Sequence, residues 1–196
     1  MNKRGIATQK LIKEKAYQLF AKKGFKEVTM KDICEAAGLS RGGLYCHYES
    51  TRQIFKEIMD DLMDQQDEEF SSKIESGALA VKILDEVLER YKHEMIDRDA
   101  SLSIAIYEYF SSNQDAAVEN PLHKQYMLSA KMWKRLIKYG VDKGEFKEVD
   151  IAAVFDLIVF SYQGVRMYSK LMPIEEQIPK RIIGELRKLL VKEREQ

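Results

Sequence analysis

Residues 29–51 read TMKDICEAAGLSRGGLYCHYEST, from Thr29 to Thr51. Thr29 has a hydroxyl suited to capping a short helix whose apolar face is Ile33, Ala36 and Ala37, and Gly38 supplies the left-handed residue that most often stops a helix. Ser40 is placed to cap a second short helix, on which Leu44 and Tyr48 share one face. Two short helices joined by a glycine-containing turn form a helix-turn-helix, a unit whose second helix enters the major groove of DNA. Arg41 is the side chain best suited to a base contact, since a guanidinium can pair bidentately with guanine, worth about 1–3 kcal/mol of discrimination. Gly42 and Gly43 offer backbone for close approach beside it.

Outward from this stretch the charge is unevenly placed. The 196-residue chain has 32 basic and 32 acidic residues. Residues 1–55 hold eleven Lys and Arg against five Asp and Glu, a net of +6, and the remainder holds 21 against 27, a net of −6. A basic amino-terminal quarter on an acidic body is the distribution that phosphate binding by one end requires. A hydrophobic content of 45% and a mean hydropathy of −0.41 are ordinary for a soluble protein with a sizeable core. Residues 1–8 lack the apolar stretch of a signal peptide, and no apolar run approaches 18 residues, so a cytoplasmic protein with no membrane partner is expected.

The order Thr29, Ile33, Ala37, Gly38, Leu39, Ser40, Gly42, Leu44, Tyr45, His47, Tyr48 is similar to the DNA-binding signature of the TetR family of bacterial regulators. The resemblance covers about the first quarter of the chain. It implies phosphate contacts from Thr29, Ser40, Tyr45 and His47. Three positions depart from the family pattern. Gly43 stands where a base-contacting side chain is common, Cys46 where a second aromatic is common, and Thr51 where a lysine is usual, which leaves neighbouring Arg52 to take over its phosphate contact.

The remaining pattern is helical throughout. Prolines occur only at 121, 173 and 179, and no run alternates apolar and polar residues long enough for a strand. Thr8 is the expected cap of a first helix carrying Leu11, Ile12, Ala16, Leu19 and Phe20 and ended by Gly24. A fourth helix is expected from Ser50 or Thr51 to about Phe70, followed by a break at Ser71-Ser72 and at Ser76-Gly77. Further helices are expected over 78–97, 102–112, 121–143 (opened by Asn120-Pro121), 151–171 (capped by Asp150) and 175–193. The expected architecture is all-α with about nine helices. A three-helix DNA-binding domain over 1–54 precedes a helical effector-binding and dimerisation domain over 55–196.

The resemblance implies a small-molecule effector bound among the helices of the second domain. Tyr91, Met95, Tyr107, Phe110, Tyr126, Met127, Trp133 and Phe155 are the candidate pocket residues, all of types that also serve as core. The helix over 151–171 is apolar nearly all round, so a second copy of the chain is expected to cover it. Phe155, Ile158, Val159 and Tyr162 with Ile182, Leu186, Leu189 and Leu190 would form that homodimer interface, a four-helix bundle.

No catalytic, cofactor or metal site is expected. Cys34 and Cys46 have no second Cys/His pair at zinc spacing, and His47 follows Cys46 on a helix, where adjacent side chains diverge. The sequence contains no G-x-S-x-G, P-loop or G-x-G-x-x-G string. The expected function is a dimeric regulator released from a palindromic operator by its effector, a repressor rather than an activator or a ligand-free regulator. A helical protein-interaction module remains the alternative from another class.

Overall fold

The computed structural model describes residues 3–111 and 121–192. Its helices are α1 (Lys3–Lys23), α2 (Met30–Ala37), α3 (Arg41–Tyr45), α4 (Thr51–Glu75), α5 (Ala80–Ile96), α6 (Ser103–Ser111), α7 (Pro121–Asp142), α8 (Ile151–Leu171) and α9 (Gln177–Leu190). Extended pairing among the described residues is limited to one antiparallel bridge between Phe146 and Val191. The fold is therefore all-α, as the periodicity indicates. Asp150 caps α8 as expected, its Oδ1 accepting from the Ala152 and Ala153 amides at 3.0 and 3.1 Å. Asn120 lies outside the described residues.

Two expectations about helix ends need correction. α1 begins before Thr8, whose hydroxyl donates back to the Arg4 carbonyl at 2.9 Å from inside the helix. α4 runs through Ser71-Ser72 to Glu75. Both serines satisfy their hydroxyls on the preceding turn, Ser71 on the Asp67 carbonyl at 2.7 Å and Ser72 on Glu69 at 3.2 Å. Phe70 is fully buried beside Trp133, and Lys73 bridges Glu69 and Glu86 at 2.7 and 2.8 Å. Packing on both sides of the serines thus outweighs their preference for a break, and the chain turns only at Gly77.

The chain divides into two compact units. One comprises α1, α2, α3, α4 as far as Met63, and α6; the other comprises α4 from Asp64 with α5, α7, α8 and α9. The first unit has a core of Ile12, Ala16, Phe20, Val28, Ile33, Leu44, Tyr48, Ile54, Phe55 and Ile58, to which Leu102, just before α6, and Ala105 and Tyr109 of α6 add. It holds the helix-turn-helix, α2 and α3, with α1 packed on α2. Packing adds the first half of α4 and also α6, which the sequence alone assigns to the carboxy-terminal part. In the second unit α5 packs on α7, α8 and α9, with Ile83, Leu84, Leu136, Ile137, Ile158 and Leu190 at most 1% exposed.

Candidate nucleic-acid interface

The helix-turn-helix is set by caps that the sequence encodes locally. Thr29 Oγ1 accepts from the Asp32 amide at 3.2 Å, and Asp32 Oδ2 accepts from the Thr29 amide at 2.8 Å, a reciprocal capping box at the start of α2. The Thr29 hydroxyl and amide, both donating to the carboxylate, with Lys23 at 3.0 Å, hold the Asp32 carboxyl well below the usual carboxylate range. Gly38 ends α2 in the left-handed region, φ 65°, and returns amide bonds to Cys34 and Glu35. Ser40 then caps α3, its Oγ accepting from the Gly43 amide at 3.1 Å.

α3 has one inner and one outer side. Leu44 is fully buried and Tyr48, just past the helix, is 1% exposed. The Tyr48 hydroxyl donates to Glu57 of α4 at 2.8 Å, and burial together with that carboxylate pushes its pKa up. The inner side thereby fastens α3 to α4. The outer side presents Ser40, Arg41, Gly42, Tyr45 and Cys46, all exposed, with His47, Thr51 and Arg52 half-buried and Thr29 exposed at the neighbouring helix start. A Cβ added at Gly42 would meet nothing within 4 Å, so another backbone or a base edge can come close there. Gly43 is half-buried, and a Cβ there would lie 3.2 Å from Ser40 Oγ, so its role is to leave room for the cap.

All nine sequence-predicted DNA residues thus belong to one unit, and besides Ser40, whose hydroxyl caps α3 on the Gly43 amide, Thr29 and Arg52 have internal partners. The Thr29 hydroxyl is occupied by Asp32, donating to its Oδ2 at 2.5 Å, which leaves backbone N–H groups of the first turn for an anion. The Arg52 guanidinium lies over the Tyr109 ring, 4.6 Å from its centroid. Asp32 was readable in the sequence as Thr-x-x-Asp, a variant of the capping-box pattern. Glu108 and Tyr109 of α6, which pack on the connection between α1 and α2 and, for Tyr109, on Phe55 of α4, carry no local signal, because the contacts join distant parts of the chain.

The pocket candidates fall into separate groups. Tyr91 stacks on Tyr162 at 4.1 Å and lies 6.2 Å from Trp133, all three buried. Met95 is buried as well. Tyr126 donates to Asp156 and packs 5.1 Å from buried Phe155, while Met127 is exposed. Tyr107 and Phe110 lie on α6 in the other unit, the first exposed and the second half-buried. None of the eight lines the open cleft of about 1610 Å³ between the start of α5 and the end of α9, where Lys82, Asp85, Glu86, Lys147 and Arg187 dominate. Of the interface candidates, Phe155, Ile158, Tyr162, Leu186 and Leu190 are buried by their own chain, Val159 and Ile182 are half-buried, and Leu189 is exposed. Leu157, Phe160, Tyr168 and Leu171 form a more exposed apolar row on α8.

Among the described residues no group of three or more His, Cys, Asp or Glu is placed to hold a metal ion, and no helix is long and apolar enough to cross a membrane. Four acidic residues of α4 are in ion pairs: Asp60 with Lys56, Asp61 with Lys13, Asp67 with Arg135, and Glu69 with Lys73 and Arg90.

Residues 12–58 match the family described as bacterial regulatory proteins, tetR family, and residues 82–178 match the tetracyclin repressor-like carboxy-terminal domain. The chain is 32% identical over 142 residues to the helix-turn-helix transcriptional regulator YfiR of Bacillus subtilis, covering 70% of this chain and 67% of that protein. It is 29% identical to the transcriptional repressor KstR2 of Rhodococcus jostii, covering 71% and 69%. Among solved structures, the ketosteroid transcriptional regulator KstR2 of Mycobacterium tuberculosis superposes with a TM-score of 0.65 at 20% identity, covering 98% of this chain and 97% of that one. A TetR regulator from Chloroflexus aurantiacus gives 0.71 at 20% identity, covering 95% and 96%. With a capped helix-turn-helix exposing Arg41, Gly42 and Tyr45, and with relatives of this length and identity, the chain belongs to the TetR family of DNA-binding transcriptional regulators.

Proposed function

We propose that the protein is a cytoplasmic homodimeric repressor that leaves a palindromic operator when a small molecule binds its carboxy-terminal domain. The observation that carries the reading is the outer side of α3, where Arg41 and Tyr45 stand exposed beside a glycine open to close approach. One short helix reads only a few base pairs, so two heads on a two-fold axis are needed for a selective site. The exposed row Leu157, Phe160, Tyr168 and Leu171, with Leu189 of α9, is the face by which two copies would join. Phe155, Ile158, Val159, Tyr162, Ile182, Leu186 and Leu190 would support it from beneath or at its edge.

Residues 1–54 are assigned to DNA binding and 55–196 to effector binding and dimerisation, with α6 docked on the head. The effector would lodge among Tyr91, Met95, Tyr126, Trp133 and Phe155, opening side chains that pack together in its absence. Effector binding would favour a conformation whose recognition helices no longer fit successive major grooves, so operator affinity falls by population shift. Repression is favoured over activation by the likeness to KstR2, named as a repressor in Rhodococcus jostii.

The test is equilibrium DNA binding as a function of salt. Binding should weaken steeply as salt rises, and Arg41→Ala should lower affinity by about 1–3 kcal/mol at a guanine contact while sedimentation shows an intact dimer. A protein that shifts no genomic fragment even at low salt would be an interaction module instead.

A further inference from the structure

The inward stripe of α8 carries a charge near its end. Phe155, Ile158 and Tyr162 are buried at the spacing of one helix face, and Arg166 follows four residues later, half-buried, with Ser169 buried beyond it. Tyr162 stacks on Tyr91 of α5 at 4.1 Å, and its hydroxyl donates to Oε2 of Glu94, one turn along α5. Burial holds the phenol pKa above its ordinary value, so the hydroxyl keeps the proton that it donates. Its oxygen in turn accepts from Arg166 Nη1 at 2.9 Å. The other oxygen of Glu94 faces Arg90 at 3.9 Å. Arg166 thus meets a neutral phenol, and among the described residues it is in no ion pair. Its Nε is fully buried and has no hydrogen-bond partner among the described residues.

A guanidinium stays charged, and a buried donor left unmade costs more than a made bond gains, so such a group in a native fold calls for an acceptor from outside the chain. We infer that Arg166 is the anion-recognising residue of the effector site, and that the effector is a carboxylic acid with an apolar body. Nη1 is engaged with Tyr162. Nε and Nη2 form the guanidinium edge that takes a carboxylate side-on, through two parallel hydrogen bonds. One such edge matches one planar carboxylate, whereas a phosphate dianion among these aromatic side chains would need further donors. The stacked rings of Tyr91 and Tyr162, with Trp133 6.2 Å from Tyr91 and with buried Met95, supply flat and polarizable faces for the body. The buried charge also supplies selectivity, because an uncharged analogue of the same shape leaves it without a counter-ion. The inference rests on the effector reading above and adds to it the chemical class of the ligand and the residue that reads it.

Titration calorimetry with hydrocinnamate, and with hydrocinnamamide as an uncharged analogue of the same shape, tests the site. The carboxylate should bind the wild type, and the amide should bind about ten- to a hundredfold more weakly, as expected for losing hydrogen bonds between charged groups. Arg166→Met should remove that preference, and Arg166→Lys, which keeps the charge and loses the planar fork, should keep only part of it. Without ligand, Arg166→Met should melt at or above the wild-type temperature, because an apolar side chain replaces a buried donor that has no partner. Equal affinity for acid and amide, or no binding of the acid by the wild type at millimolar concentration, would overturn the inference. So would an Arg166→Met protein that melts well below wild type or fails to fold, since Arg166 would then be a structural anchor for Tyr162. Failure of the wild type to bind any duplex at low salt would strike the proposed function and leave these binding results standing.

Discussion

A methyl group added at Gly42 meets open space, whereas one added at Gly43 presses on the Ser40 hydroxyl that caps α3. The two substitutions should therefore separate stability from recognition. Gly42→Ala should leave the head as stable or stabilise it by about 0.5–1 kcal/mol, since alanine loses less backbone entropy in a helix, while operator affinity falls because the close approach is blocked. Gly43→Ala should gain less stability, because the cap must give by a few tenths of an ångström. Thermal unfolding paired with a binding isotherm distinguishes them. At the start of α2, Thr29→Ala should cost about 1 kcal/mol as the loss of a helix cap. Asp32 has a folded pKa below its ordinary value of 3.8, so its contribution is fully present above that value and is lost as pH falls through the folded pKa. Amide exchange at Thr29 should accelerate over that acid range in the native protein and show no such step in Asp32→Ala.

Helix ends were readable wherever a short-range signal sets them. Thr29, Gly38, Ser40 and Asp150 act within three or four residues of themselves, and each performs the capping or stopping role its side chain suggests. Thr8 and Ser71-Ser72 failed as signals because a hydroxyl can bond the preceding turn of a continuing helix, and the packing of Phe70 beside Trp133 favours continuation. The separation of Tyr107 and Phe110 from the other aromatic candidates was unreadable for a different reason. Nothing in the pattern of α6 says which core it joins; the long-range contacts of Glu108 and Tyr109 decide that. Within the head, Leu44→Ala should cost about 2–5 kcal/mol, because α3 is only five residues long and Leu44, fully buried, is its buried anchor. Chemical denaturation checks the value, and a cost below about 1 kcal/mol would mean that Tyr48 alone holds the recognition helix to α4.

For the whole molecule, the distribution of charge and the helical periodicity indicated a basic head and an apolar carboxy-terminal pair of helices, and the outward side of that pair is now specific. Five of the eight interface candidates chosen by periodicity are covered by their own chain, because a helix apolar nearly all round does not reveal which stripe faces its own core. The exposed stripe begins at Leu157 and includes Phe160, 64% exposed, and Leu171, 69% exposed. Phe160→Glu combined with Leu171→Glu should give a folded monomer by sedimentation that binds half-sites weakly, because burying two carboxylates in an apolar bundle is unfavourable. A double variant that stays dimeric would place the two-fold contact elsewhere. The most direct test of the central reading is selection of bound duplexes from a pool of genomic fragments by the 196-residue chain. A recovered consensus of two inverted half-sites, with centres one helical turn or a multiple of it apart, is the predicted result. Recovery of no consensus, or of a single unrepeated site, would contradict a dimeric helix-turn-helix repressor.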